Sequence, residues 1–191
     1  TERIVDDIVV APDRIIWIAN NRTIKSYDPS TGKWKSIDWP SVIEGSIAEI
    51  HPAPDGTVFV SVVANDRRVY FFDGQGWSLQ GMNAGLLTDT VYDVVVTANG
   101  DVWYATSKGM AYWDRANQAW SFYTWSSKGI LPITGQYAYP VINAELGHDG
   151  AVWFSNTHFF AFVVRGEDGE FVWKSYPAAD SDMATRPASV E

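Results

Sequence analysis

Two landmarks recur along this chain at nearly one spacing, and nothing else in it restricts the fold as much. The first aromatic of each unit, Trp17, Phe59, Trp103 and Trp153, returns at intervals of 42, 44 and 50 residues. The last tryptophan of each unit, Trp34, Trp77, Trp120 and Trp173, returns at intervals of 43, 43 and 53. Two independent markers on one period identify an internal repeat. The third unit shows its content most clearly. Strand-like runs Tyr92 to Val96, Val102 to Ala105, Met110 to Trp113 and Trp120 to Tyr123 are separated by Asn99-Gly100, by Ser107-Lys108-Gly109 and by a turn around Asp114 to Gln118. Each run is short, rich in β-branched and aromatic residues, and closed by Gly, Asn or Asp, as strands joined by tight turns are. No sustained apolar period of 3.6 residues appears, which argues against a helical solenoid of this repeat length.

Four strands in a unit of about 40–45 residues predict propeller blades. The expected fold is all-β, a β-propeller-type array of four four-stranded antiparallel blades, either a closed four-blade ring or part of a larger propeller. One domain is expected over residues 1–176, with units at about 4–38, 47–80, 90–124 and 141–176. Residues 177–191 read as a polar tail or linker. Residues 125–140 form the longest irregular stretch and account for most of the widened third interval. Long loops in a repeat array gather on one face, often the binding face.

The third unit resembles the two-component regulator propeller repeat. Gly100, Asp101, Trp103, Thr106, Gly109, Met110, Trp113 and Asp114 match its pattern, and Ala84 to Val94 is similar to the Gly-Leu link that leads into such repeats. The other units depart from it: Phe59 replaces Trp, Asn20 and Asn156 stand near the Thr106 position, and only the third unit has the Lys-Gly pair. The resemblance implies a bacterial, extracytoplasmic (periplasmic or secreted) sensor, since such repeats commonly form the sensory part of hybrid histidine kinases. No kinase or receiver segment accompanies these four units.

Composition narrows the functional classes. The net charge of −9 opposes binding to nucleic-acid phosphates and to anionic membranes, and no basic stripe offsets it. No run of about 18 apolar residues is present to span a bilayer. The absence of cysteine excludes disulfides and thiolate chemistry. The chain begins with Thr rather than Met, which suggests a processed chain or a piece of a longer one.

Chemistry-bearing residues are scattered. His51 and His148 fall at the first turn of their units and His158 at a later hairpin, all three expected to be exposed or structural. No pair has metal-ligand spacing, so no metal site and no cofactor is expected. Asp6 and Asp7, Glu167, Asp168 and Glu170, and Asp180 and Asp182 read as solvated turns. No nucleophile elbow, P-loop or dinucleotide fingerprint occurs. The aromatics outside the repeat register are Trp39, Trp125, Tyr137 and Tyr139, all expected in inter-blade connectors. Trp and Tyr there offer flat area to a small molecule, a glycan or a protein. The expected function is therefore a non-enzymatic binding or interaction module, a sensor or scaffold, with self-association as one way to complete a propeller. The alternatives are a hydrolase or lyase acting on a saccharide-like substrate at the central channel, and a structural subunit of a larger assembly.

Overall fold

The computed structural model describes residues 5–11, 13–20, 22–126, 129–132 and 139–177. Each repeat unit forms one antiparallel sheet whose strands follow chain order. Sheet 1 holds β1 (Asp7–Val10), β2 (Ile16–Asn20), β3 (Thr23–Asp28) and β4 (Lys33–Ile37). Sheet 2 holds β5 (Ser46–Pro52), β6 (Val58–Val63), β7 (Arg67–Phe72) and β8 (Trp77–Gln80). A 3₁₀ turn at Met82–Ala84 leads to sheet 3, with β9 (Val91–Val96), β10 (Val102–Thr106), β11 (Gly109–Asp114), β12 (Ala119–Ser126) and β13 (Gly129–Pro132). Sheet 4 holds β14 (Asn143–Leu146), β15 (Val152–Ser155), β16 (Phe159–Arg165) and β17 (Phe171–Pro177). No α-helix occurs among the described residues, and none of their helical segments is long and apolar enough to cross a membrane.

Sheet 3 corrects one expectation. The stretch 125–140 is not irregular throughout, because β12 runs on to Ser126 and pairs antiparallel with β13 through Trp125↔Ile130 and Thr124↔Leu131. Trp125 is thus a strand residue, not a connector residue. The apolar pair Ile130-Leu131 lies in this fifth strand, which begins at Gly129 with φ +102°. The expected tail falls outside the described residues from 178 onward.

Turn chemistry repeats with the sheets. Asp55, Asp149 and Asp168 each accept a hydrogen bond from the backbone N–H two residues on, at 3.1 Å, and each precedes a glycine with positive φ. A carboxylate that holds its own turn closed in this way explains why Asp-Gly steps mark the hairpins.

Three apolar cores join the sheets in series. Trp17, Ala19 and Ile24 of sheet 1 pack on Ile50, Val58 and Val60 of sheet 2. Phe59 and Val69 of sheet 2 pack on Val91, Val94 and Tyr104 of sheet 3. Trp103, Met110 and Tyr112 of sheet 3 pack on Phe154, Phe159 and Val163 of sheet 4. No core of described residues joins sheet 4 back to sheet 1, so the four sheets form an open arc. The repeat landmark reports this directly. Trp17, Phe59 and Trp103 are 5%, 0% and 2% exposed, whereas Trp153 is 36% exposed.

Candidate functional site

The first strands of the sheets, β1, β5, β9 and β14, lie side by side along the inside of the arc but belong to different sheets. Each is hydrogen-bonded on one side only, so each presents unpaired backbone groups to its neighbour. One repeat position supplies partners for them. Ten residues before the first aromatic stand Asp7, Glu49, Asp93 and Asn143. The Asp7 carboxylate accepts the Ile50 N–H of the next sheet at 2.8 Å, and the Asp93 carboxylate accepts the Ala144 N–H of the next sheet at 2.9 Å. Asp93 also accepts the Val94 N–H at 2.8 Å. Asp7 is therefore a strand residue that bridges two sheets rather than a solvated turn. The tenth position before each landmark aromatic is the signal that finds this row in the sequence.

These residues border a cleft of about 720 Å³ lined by the four inner strands. Glu49, His51, Asp93, Asn143 and Glu145 face it together with Val and Pro side chains, and among the described residues no Lys or Arg lines it. Glu49, His51 and Asp93 each bring one potential ligand atom to within 4.8 Å of the others. Spacing along the chain does not show this grouping, because Glu49 and His51 come from β5 and Asp93 from β9. His51, expected as an exposed turn residue, lies in β5 with its side chain only 17% exposed. Its Nε2 is 3.1 Å from Ser61 Oγ and 3.7 Å from a Glu49 carboxylate oxygen.

Burial acts on the two inward groups in opposite senses. It lowers the His51 pKa from 6.5 to about 4, leaving the ring neutral at pH 7. Burial is also the largest cause raising Asp93 from 3.8 to about 6; the negative charges of Glu49 and Glu145 add to it, and the Ala144 and Val94 N–H groups oppose it. The linkage signs follow. As pH falls from 6.5 toward 4 the unfolded chain protonates His51 and the folded chain does not, so stability drops. Over nearly the same interval, from 6 down to 3.8, the folded chain takes up a proton on Asp93 and gains stability. The two effects offset in the wild type. In Asp93→Asn the His51 effect is no longer offset, and melting temperature is expected to rise more steeply with pH between 4 and 6.5 than in the wild type. Parallel profiles for the two proteins would contradict this.

The aromatic candidates separate into two places. Trp125 stacks on Phe159 with centroids 5.2 Å apart and meets Tyr139 at 5.6 Å. Tyr139 is 49% exposed, and its ring lies 6.0 Å from that of His158. Trp39 instead packs edge-on against Trp77 at 4.7 Å and Tyr70 at 6.2 Å, against the core between sheets 1 and 2. Tyr137 lies outside the described residues. The structure thus brings Trp125 and Tyr139 together, with Trp125 committed to packing and Tyr139 open to solvent.

Solved structures share this architecture. PorZ, an essential bacterial surface component of the type-IX secretion system of Porphyromonas gingivalis, superposes with a TM-score of 0.55 at 16% identity, over 83% of this chain and 25% of that one. A catalytically inactive histidine-to-alanine variant of virginiamycin B lyase from Staphylococcus aureus, solved with quinupristin, matches with a TM-score of 0.51 at 16% identity, over 88% of this chain and 54% of that one. The extracellular domain of a one-component system from B. thetaiotaomicron matches with a TM-score of 0.50 at 12% identity, over 88% of this chain and 29% of that one. The chain therefore spans between a quarter and just over half of the length of these proteins. No family model and no curated protein matches it. The fold is of the propeller type.

Proposed function

We propose that this chain is a non-enzymatic binding module, part of an extracytoplasmic sensor or scaffold of the two-component regulator propeller kind, and that its ligand enters the cleft between the inner strands with a positively charged group. The observation that carries this reading is the lining: carboxylates from β1, β5, β9 and β14, with no Lys or Arg among the described residues that face the cleft. Carboxylates facing a shared, partly desolvated space favour a cation there, whether a divalent metal ion or an ammonium group. Asp93 strengthens the attraction above about pH 6, where it ionises. The similarity to an extracellular domain and to a bacterial surface component supports the location.

Thermal melting with Mn²⁺ and, separately, with spermidine tests the reading. Either cation is expected to raise the wild-type melting temperature, by about 2–4 °C per kcal/mol of linkage for a chain of this size. The double variant Glu49→Gln/Asp93→Asn should lose the shift. An equal shift in the variant, or no shift with either cation, would overturn it.

A second reading, a lyase or hydrolase, draws support from Glu49, His51 and Asp93 lying within 4.8 Å of one another. A neutral His51 beside two carboxylates has the composition of a general-base site. Turnover of a cleft-bound ligand that disappears in His51→Ala while binding persists would favour that reading over the first.

A further inference from the structure

Every junction inside the chain joins the same two kinds of face. The face bearing the first aromatic of one sheet packs on the opposite face of the next: Trp17 enters the core between sheets 1 and 2, Phe59 that between sheets 2 and 3, and Trp103 that between sheets 3 and 4. Sheet 4 presents the same kind of face, and no sheet of described residues packs on it. Trp153 stands there in the cross-strand row Glu145, Trp153, Phe162, Lys174, beside Phe160, Tyr176 and the 55% exposed Val172. At the other end, sheet 1 leaves the opposite kind of face open. Its rows run Val10, Ile16, Tyr27, Trp34 and Ile8, Ile18, Lys25. Ile8, Val10 and Trp34 are 61%, 64% and 58% exposed. Patches of this kind on a sheet face mark an interface rather than ordinary surface.

We infer that these two faces are the halves of one further junction, formed between two copies of this chain: the Trp153 face of one copy packs on the Val10–Trp34 face of the other. The occupant follows from continuity with the junctions already made. What each sheet of the Trp103 kind accepts is the opposite face of a like sheet, and a second copy of sheet 1 presents that face unpartnered. The contact is heterologous, so it must either close or propagate. Two copies make two identical junctions and close a ring of eight sheets, within the range that propellers adopt. The inner strands of both copies would then surround one shared channel, extending the cleft bordered by Asp7, Glu49 and Asp93.

Light scattering coupled to size exclusion tests this on the full chain, with circular dichroism to confirm that each variant is folded. The wild type is expected at twice the chain mass of 21.3 kDa. Trp153→Glu and Val10→Glu, on opposite faces, are each expected at the single mass. Mixing the two variants should restore the double mass, because the intact sheet-4 face of one meets the intact sheet-1 face of the other. A wild type that stays monomeric at every concentration would overturn the inference, as it would if the open faces await further sheets on a longer polypeptide. A Val10→Glu variant that remains dimeric would also overturn it, since the sheet-4 faces would then be pairing with each other. Wild-type oligomers that grow without limit would show propagation and contradict closure.

Discussion

Replacing Trp103 by alanine is expected to remove about 3–5 kcal/mol of folding stability, the range for truncating a large aromatic in a packed core. Trp103 is 2% exposed and is surrounded by other rings, with centroids at 4.8 Å (Tyr112), 5.0 Å (Phe171), 5.5 Å (Phe154 and Trp173) and 5.9 Å (Tyr123). Rigid neighbours drawn from two sheets cannot relax into the space, so most of the cavity cost remains. The same substitution at the same repeat position of sheet 4, Trp153→Ala, is expected to cost about 1 kcal/mol or less when measured on the monomer, because that residue is 36% exposed and no sheet of described residues packs on it. Urea denaturation of both variants checks the pair. Equal losses would mean that the two tryptophans share one environment, which the open arc denies.

Gly45→Ala is expected to be nearly as damaging, on the order of 3 kcal/mol, from a single added methyl group. Gly45 has φ +102°, and a Cβ there would lie 2.6 Å from the Val63 carbonyl oxygen, 2.9 Å from Val62 Cγ1 and 3.0 Å from Ala64 Cβ. The carbonyl belongs to the backbone and cannot swing away. The residue stands just before β5, where the connector from sheet 1 turns in against the end of β6. Gly56, at φ +82° with nothing within 4 Å of where a Cβ would lie, is the control. Its alanine variant meets only the left-handed backbone cost of about 1–2 kcal/mol. Comparable losses at the two sites would show that strain, and not the close approach at Gly45, decides the outcome.

The fold was legible because its determinants are local and repeated. The landmark aromatics, the Asp-Gly turns and the short β-branched runs each occur several times, so one noisy unit is corrected by the others. Phe59 can replace Trp and still enter the core between sheets 2 and 3 because the position, not the residue, recurs. The strand β13 was not legible, since Gly129 to Pro132 belongs to no repeat and is held by pairing with β12 and by the packing of Ile130 on the core between sheets 3 and 4. The cleft was hidden for a different reason. Glu49, His51 and Asp93 are ordinary residues in sequence, and their nearness depends on how two sheets lie side by side. Trp125 misled in the opposite direction: outside the repeat register it has the look of a free loop aromatic, yet Phe159 of the next sheet takes up its face.

Hydroxyl-radical footprinting of the tryptophans tests most directly the claim that one kind of sheet junction recurs three times and stops at the fourth sheet. In dilute protein, Trp17 and Trp103 are expected to be protected while Trp34 and Trp153 are oxidised; in concentrated protein, protection should spread to Trp153 and Trp34 together. Oxidation of Trp103 as fast as Trp34, or protection of Trp153 in the dilute monomer, would contradict the account.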